Sequence, residues 1–190
     1  MKKSIALVMM AVLLVAASVM GTLAYLTSHD KVVNTFTVGK VAITLDEADV
    51  DVYGAPIENA ARVRANEYKL IPGHEYTKDP TVHFAAGSEA SWLFVKVENG
   101  IANIEADKKI ADQIIDNGWD ALTGVDGVYY KQVDANTGAA AIDYPVFETF
   151  KLDGEADVSN YEKAAVKVTA YAIQADGFTS AAAAWTEVSK

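Results

Sequence analysis

His74-Glu75-Tyr76-Thr77-Lys78 begins like the zinc-protease helix motif, in which two histidines four positions apart share a helical face with a glutamate base between them. The fifth position holds Lys78 where the second histidine is needed, and Pro72-Gly73 just upstream writes a turn, not a helix. His74, His83 and Glu75 can still converge in space, which would make the chain a metal-dependent protease. Three histidines scattered over 190 residues more often serve as surface or strand residues. Asp46, Glu47, Asp49 and Asp51 crowd one stretch and offer oxygens to calcium, but their spacing lacks the glycine and the terminal bidentate glutamate of a calcium loop. They read as a solvated acidic loop closed by Gly54 and Pro56. No Gly-x-Ser-x-Gly elbow, phosphate-cradling glycine loop or cysteine nucleophile occurs. The expectation is therefore no catalytic residue, no metal and no cofactor.

The elements that would position these groups are mostly strands. Val41, Ile43 and Leu45 alternate with Ala42 and Thr44, a period of two. Phe36 and Val38 alternate on the opposite parity, and the slip at Gly39-Lys40 reads as a β-bulge. "ANEYKLIPGHEY" reads as a short strand ending in a type II turn at Pro72-Gly73. "TVHF" is another strand. In "SWLFVKVENG", Leu93, Val95 and Val97 form one apolar face while Trp92 and Phe94 begin the other, so this strand is expected at the centre, covered on both sides. "GVYYKQV", "YPVFETFKL" and "AAVKVTAYAIQ" continue the series. In the last, Val166, Val168, Ala170 and Ala172 face one way and Lys167, Thr169 and Tyr171 the other. Tyr129, Tyr130, Phe147 and Phe150 also fall on strand positions, where core packing accounts for them.

One helix is expected in "NIEADKKIADQIIDNGW", capped by Asn103, with Ile104, Ala111, Ile114 and Ile115 as its apolar stripe and Gly118 ending it before Trp119. A short alanine-rich helix capped by Thr179 or Ser180 closes the chain. About eight short strands with no βαβ rhythm predict a mainly β fold, a β-sandwich of jelly-roll type with one inserted helix and a short C-terminal helix.

The first residues read as an export signal. Lys2 and Lys3 precede Ile5–Met20, an uncharged apolar run of 16 residues, and Thr22-Leu23-Ala24 places small residues at −3 and −1 of a cut before Tyr25. As a helix the run spans about 24 Å, short of the ~30 Å hydrocarbon core. Extended through Leu26 it would span, which leaves an uncleaved anchor as the alternative. Removing residues 1–24 takes away two lysines and no acid, so 14 basic residues face 26 acidic ones, a formal net charge of −12. Such a surface repels phosphate backbones, and no nucleic-acid partner is expected. With no cysteine, an exported domain must hold by its core alone. "AWTEVSK" at the end has neither sorting motif nor apolar tail, so covalent wall attachment is not expected.

The lysine-rich start, the apolar run, "GTLAYLTS" and "NTFTVGKVAITLDE" together resemble the TasA/camelysin family of Gram-positive exported proteins. "YKLIPGHEYTKDPTVHF", "SWLFVKVENG" and "VKVTAYAIQADGF" resemble the family's later segments and fall in the expected order. The resemblance implies removal of the leader at Ala24 by a SipW-type signal peptidase and secretion to the extracellular matrix or cell surface of a Gram-positive bacterium. It implies a jelly roll (residues 37–190) and polymerisation into biofilm-matrix fibres. In these fibres the freed segment 25–36, with Tyr25, Leu26, Val32, Val33 and Phe36 as its apolar side chains, acts as a donor strand for the next subunit. Accessory matrix proteins are further partners that it leaves open. On the residues alone, a disordered tail is nearly as good a reading of this stretch as a donor strand, and Tyr25–Asn34 could also pair within its own subunit. A monomeric surface or adhesion protein is another reading. The camelysin name carries a metalloprotease assignment, which the missing zinc helix does not support here.

Overall fold

The computed structural model describes residues 40–190. Nine strands, two α-helices and a 3₁₀ turn succeed one another in that span: β1 (Ile43–Asp46), β2 (Glu75–Thr77), β3 (Thr81–Phe84), β4 (Ser91–Asn99), α1 (Ile110–Asp116), β5 (Asp120–Ala121), β6 (Val128–Val133), β7 (Ile142–Pro145), β8 (Thr149–Lys151), the turn Val158–Asn160, β9 (Val166–Gln174) and α2 (Ala181–Val188). The fold is mainly β, and every strand pairing is antiparallel. Three sheets form, ordered β1-β3-β7, β2-β8 and β5-β6-β4-β9.

Strand β4 lies at the centre of the largest sheet, as its two apolar faces require. Leu93, Val95 and Val97 enter a core shared with Val82 and Phe84 of β3, so the three- and four-stranded sheets face one another across it. Trp92 and Phe94 enter a second core, closed by Ala181, Ala184 and Trp185 of α2. Strand β9 obeys the expected division: Val166, Val168, Ala170 and Ala172 join the first core, Tyr171 and Ile173 the second. Helix α2 starts where Ser180 accepts a hydrogen bond from the Ala183 amide through its Oγ.

Four expectations are corrected. Helix α1 begins at Ile110, not after Asn103, because Ile104–Ala106 spend their backbone on the end of β8: the Ile104 carbonyl accepts from the Asp153 amide and the Ala106 amide donates to Lys151. Lys109 occupies the cap position with no capping side chain, and the Glu105 carboxylate accepts from the Ile110 amide at 3.3 Å. The stripe differs too, since Ile110, Gln113 and Ile114 are buried whereas Ala111 and Ile115 are exposed. Gln113 ties the helix to β8, its Oε1 accepting from the Glu148 and Thr149 amides and its Nε2 donating to the Thr149 carbonyl. The helix ends as expected. The Gly118 amide donates to Ile115 and the Trp119 amide to Ile114, and Trp119 turns back into the core.

Second, the strand expected before Pro72-Gly73 lies after it, at β2. Residues 65–71 join no ladder among the described residues. The turn itself forms: Gly73 has φ +78°, and the His74 amide closes it on the Ile71 carbonyl at 3.1 Å. Third, "YPVFETFKL" is two strands in different sheets. Val146 and Phe147 leave β7 to become fully buried before β8 begins. Fourth, nine strands form among the described residues, β5 adding a two-residue edge. Gly39 of the expected bulge, the leader and the segment 25–36 lie outside the described residues.

Candidate functional site: an open strand edge and its groove

Most of the chemistry-bearing residues singled out in the sequence are tied up in structural contacts, and His83 and Asp46 meet each other. His74 approaches the Tyr53 carbonyl through Nε2 at 2.8 Å and lies edge-on to the Tyr76 ring. His83 is held between Asp46, 2.9 Å from Nε2, and Asp143, 2.6 Å from Nδ1. The acidic loop is dispersed in the same manner. Asp46 also receives Arg62, the buried Glu47 carboxylate pairs with buried Lys78, and the Asp51 carboxylate accepts from the Tyr53 and Ala55 amides. Among the described residues, no three His, Asp or Glu side chains are grouped to hold a metal ion. His74, Glu75 and His83 are not brought together as ligands.

The loop's shape depends on Gly54. Its φ is +78°, and a Cβ there would stand 2.8 Å from the Tyr76 Cα, nearer than side-chain carbons pack. This close approach seats the acidic loop directly on β2.

The feature suited to binding is backbone. Strand β9 runs nine residues and pairs only with β4 among the described residues. In an antiparallel pair the N–H and C=O groups of alternate residues point away from the partner, so among the described residues the outer edge of β9, which β1 approaches without pairing, keeps a row of donors and acceptors. The first residue of β9, Val166, lines a groove of about 480 Å³ that Asn66, Glu67, Lys78 and Glu162 also line. Tyr68 and Leu70 form one wall and Ala164 and Val166 the other, with the buried Ile101 and Phe150 at depth. Among the described residues, the amides of Glu67, Tyr68 and Leu70 donate no hydrogen bond. The wall is therefore an extended segment with unspent backbone groups.

That wall is held from behind by side chains. Asn66 Nδ2 donates to Glu47 and to the Ala48 carbonyl, while its Oδ1 accepts from the Val50 amide. The Tyr68 hydroxyl donates to the Thr77 carbonyl at 3.0 Å, and the Tyr76 hydroxyl donates to Lys69 while accepting from Ile71. Burial, and then the negative charges of Glu47 and Asp79, push the Tyr68 phenol far up, so it stays a neutral donor. Tyr68 meets both Tyr76 and Phe150 edge-on, and the last two rings stack 4.7 Å apart.

Thr22, Ala24 and Tyr25 at the expected cut, and Leu26, Val32, Val33 and Phe36 of the expected donor strand, lie outside the described residues. Sequence reading missed both groove walls. Residues 65–71 carry strand-like composition without a ladder, and only the three-dimensional neighbours reveal the gap. No helix among the described residues is long and apolar enough to cross a membrane. No family model, curated protein or solved structure matches the chain.

Proposed function

We infer that this chain is an exported structural subunit that polymerises by strand donation, with no chemistry of its own. The observation that carries the reading is the outer edge of β9, unpaired among the described residues, together with a groove of mixed polar and apolar lining at its first residue, Val166, whose other lining residues Glu67, Tyr68 and Leu70 also have unspent amides. A peptide laid there gains main-chain hydrogen bonds on both sides and places alternate side chains in the groove. The proposed occupant is Tyr25–Phe36 of the next copy. Its 12 residues reach about 40 Å when extended, more than a nine-residue strand needs, and Tyr25, Leu26, Val32, Val33 and Phe36 supply apolar side chains. Donation from copy to copy is heterologous, so the chain of subunits grows without closing.

The mainly β fold with facing antiparallel sheets supports the finer jelly-roll reading, and the resemblance to the TasA/camelysin family supports a secreted matrix or cell-surface fibre. Cutting at Ala24 by a SipW-type peptidase would free Tyr25 only after export and so prevent polymerisation in the cytosol.

The test compares by negative-stain microscopy a protein starting at Tyr25, one starting at Thr37, and the full-length mature form carrying Ala164→Arg. Ala164 is exposed, so the last change fills the groove without touching the core. Fibres are expected from the first alone. Fibres from the Thr37 form would overturn strand donation, and fibres from Ala164→Arg would remove the groove from it. A monodisperse Tyr25 form would favour the monomeric surface protein.

A further inference from the structure

The outer face of the β1-β3-β7 sheet carries an arrangement the assembly reading does not use. Register places Thr44, His83 and Asp143 in one row across three strands, with Asp46 two residues beyond Thr44 on β1 and so on the same face. The His83 ring bridges the row, with Nε2 2.9 Å from Asp46 and Nδ1 2.6 Å from Asp143. The two carboxylates occupy opposite edges of the imidazole, so no single ion can take all three groups. Both ring nitrogens face acceptors, and only the doubly protonated ring donates to both. Arg62, from the loop after β1, donates to the same Asp46 oxygen and to Asp79.

We propose that His83 is a pH-operated clasp that fastens the edge strand β7 to β1 through β3, closed when the ring is charged and open at the β7 end when it is neutral. A neutral ring keeps one N–H. Asp46 is a quarter exposed and shared with Arg62, whereas the Asp143 side chain is 62 % exposed. The proton therefore stays on Nε2 toward Asp46, and the bare Nδ1 lone pair faces the Asp143 carboxylate. Asp143 is readily hydrated, so it swings out, and β7 loses its only charged tie to the sheet among the described residues. The charged groups facing the ring are Asp46 from β1 and Asp143 from β7, with Arg62 and, through it, Asp79 behind Asp46.

Burial lowers the readiness of His83 to hold its charge, but the hydrogen bonds it donates to Asp46 and Asp143, and their negative charges, outweigh it and raise the ring above its ordinary value. A raised folded value means that the tie is complete below the unfolded value of about 6.5 and is lost as pH rises through the folded one.

The experiment follows the His83 ring by NMR titration and measures hydrogen-exchange protection of the Ile142–Tyr144 amides at about pH 5 and about pH 9, corrected for intrinsic rates. His83 should titrate above about 6.5, and protection should fall about tenfold for each unit of that elevation. Asp143→Asn keeps a partner for either ring form, because its amide accepts from N–H or donates to the bare nitrogen. It should bring the titration down and flatten the protection change in a still-folded protein. Titration of His83 at or below its ordinary value, or an unchanged pH response in Asp143→Asn, would overturn the clasp. Neither readout depends on fibre formation, so its failure and that of strand donation are separable.

Discussion

Lys78 and Glu47 form an ion pair with both side chains at least nine-tenths buried, and Glu47 also anchors the Asn66 wall of the groove. Removing one partner leaves a charge in a poorly solvated place, which costs more than the pair's net contribution. Lys78→Met should lower unfolding free energy by about 3–5 kcal/mol in a denaturant titration, while Lys78→Met with Glu47→Leu should recover most of the loss. Equal loss in the single and double variants would mean that packing, not charge, is decisive there. Little of this pairing was legible beforehand. Glu47 sits in a run of acids that read as solvated, and its partner lies 31 positions on. His83 was weighed as a metal ligand because its residue type suggests one. Asp143, on a strand 60 positions later, supplies the hydrogen bond that gives the ring its work.

Strand β4 carries the two cores on its two faces, so its side chains should dominate stability. Phe94→Ala, from a fully buried site packed against Trp185 and Tyr130, should cost about 3–5 kcal/mol. Ser180→Ala, which removes one capping bond from exposed α2, should cost about 1 kcal/mol. Chemical unfolding of both variants distinguishes a core strand from a peripheral helix. The faces of β4 and β9 were readable because alternation is a local property of neighbouring residues. The start of α1 was not. Asn103 to Asp107 has the composition of a helix opening, but a distant β8 claims those amides and carbonyls, and tertiary pairing overrides propensity. For the same reason "YPVFETFKL" looked like one strand: nothing local says that Val146 and Phe147 must dive into the core between two sheets. The groove was hidden altogether, since it is a missing ladder and its walls lie nearly a hundred positions apart.

With the leader removed as proposed, a formal net charge of −12 would oppose the approach of a second copy. Repulsion between exposed charges reaches about 30 Å at 0.01 M salt and about 10 Å at 0.1 M. Growth of polymer followed by light scattering should therefore quicken as salt rises over that range, while the Thr37 form stays silent throughout. Slower growth with added salt would point to attraction between unlike charges as the driving contact. The sheet order has a further result for how the molecule is made. Ser91 of β4 meets Gln174 of β9, 83 residues later, so the most oily strand waits for nearly the last segment before it gains its second neighbour. Such distant pairing slows folding, and a chain threaded outward from its N-terminus would hold Trp92 to Val97 bare until the tail arrives. Ribosome stalling or clipping ahead of Val166 would thus leave a sticky remnant, because the final 25 residues supply the second neighbour of β4 and the helix that closes its Trp92–Phe94 face.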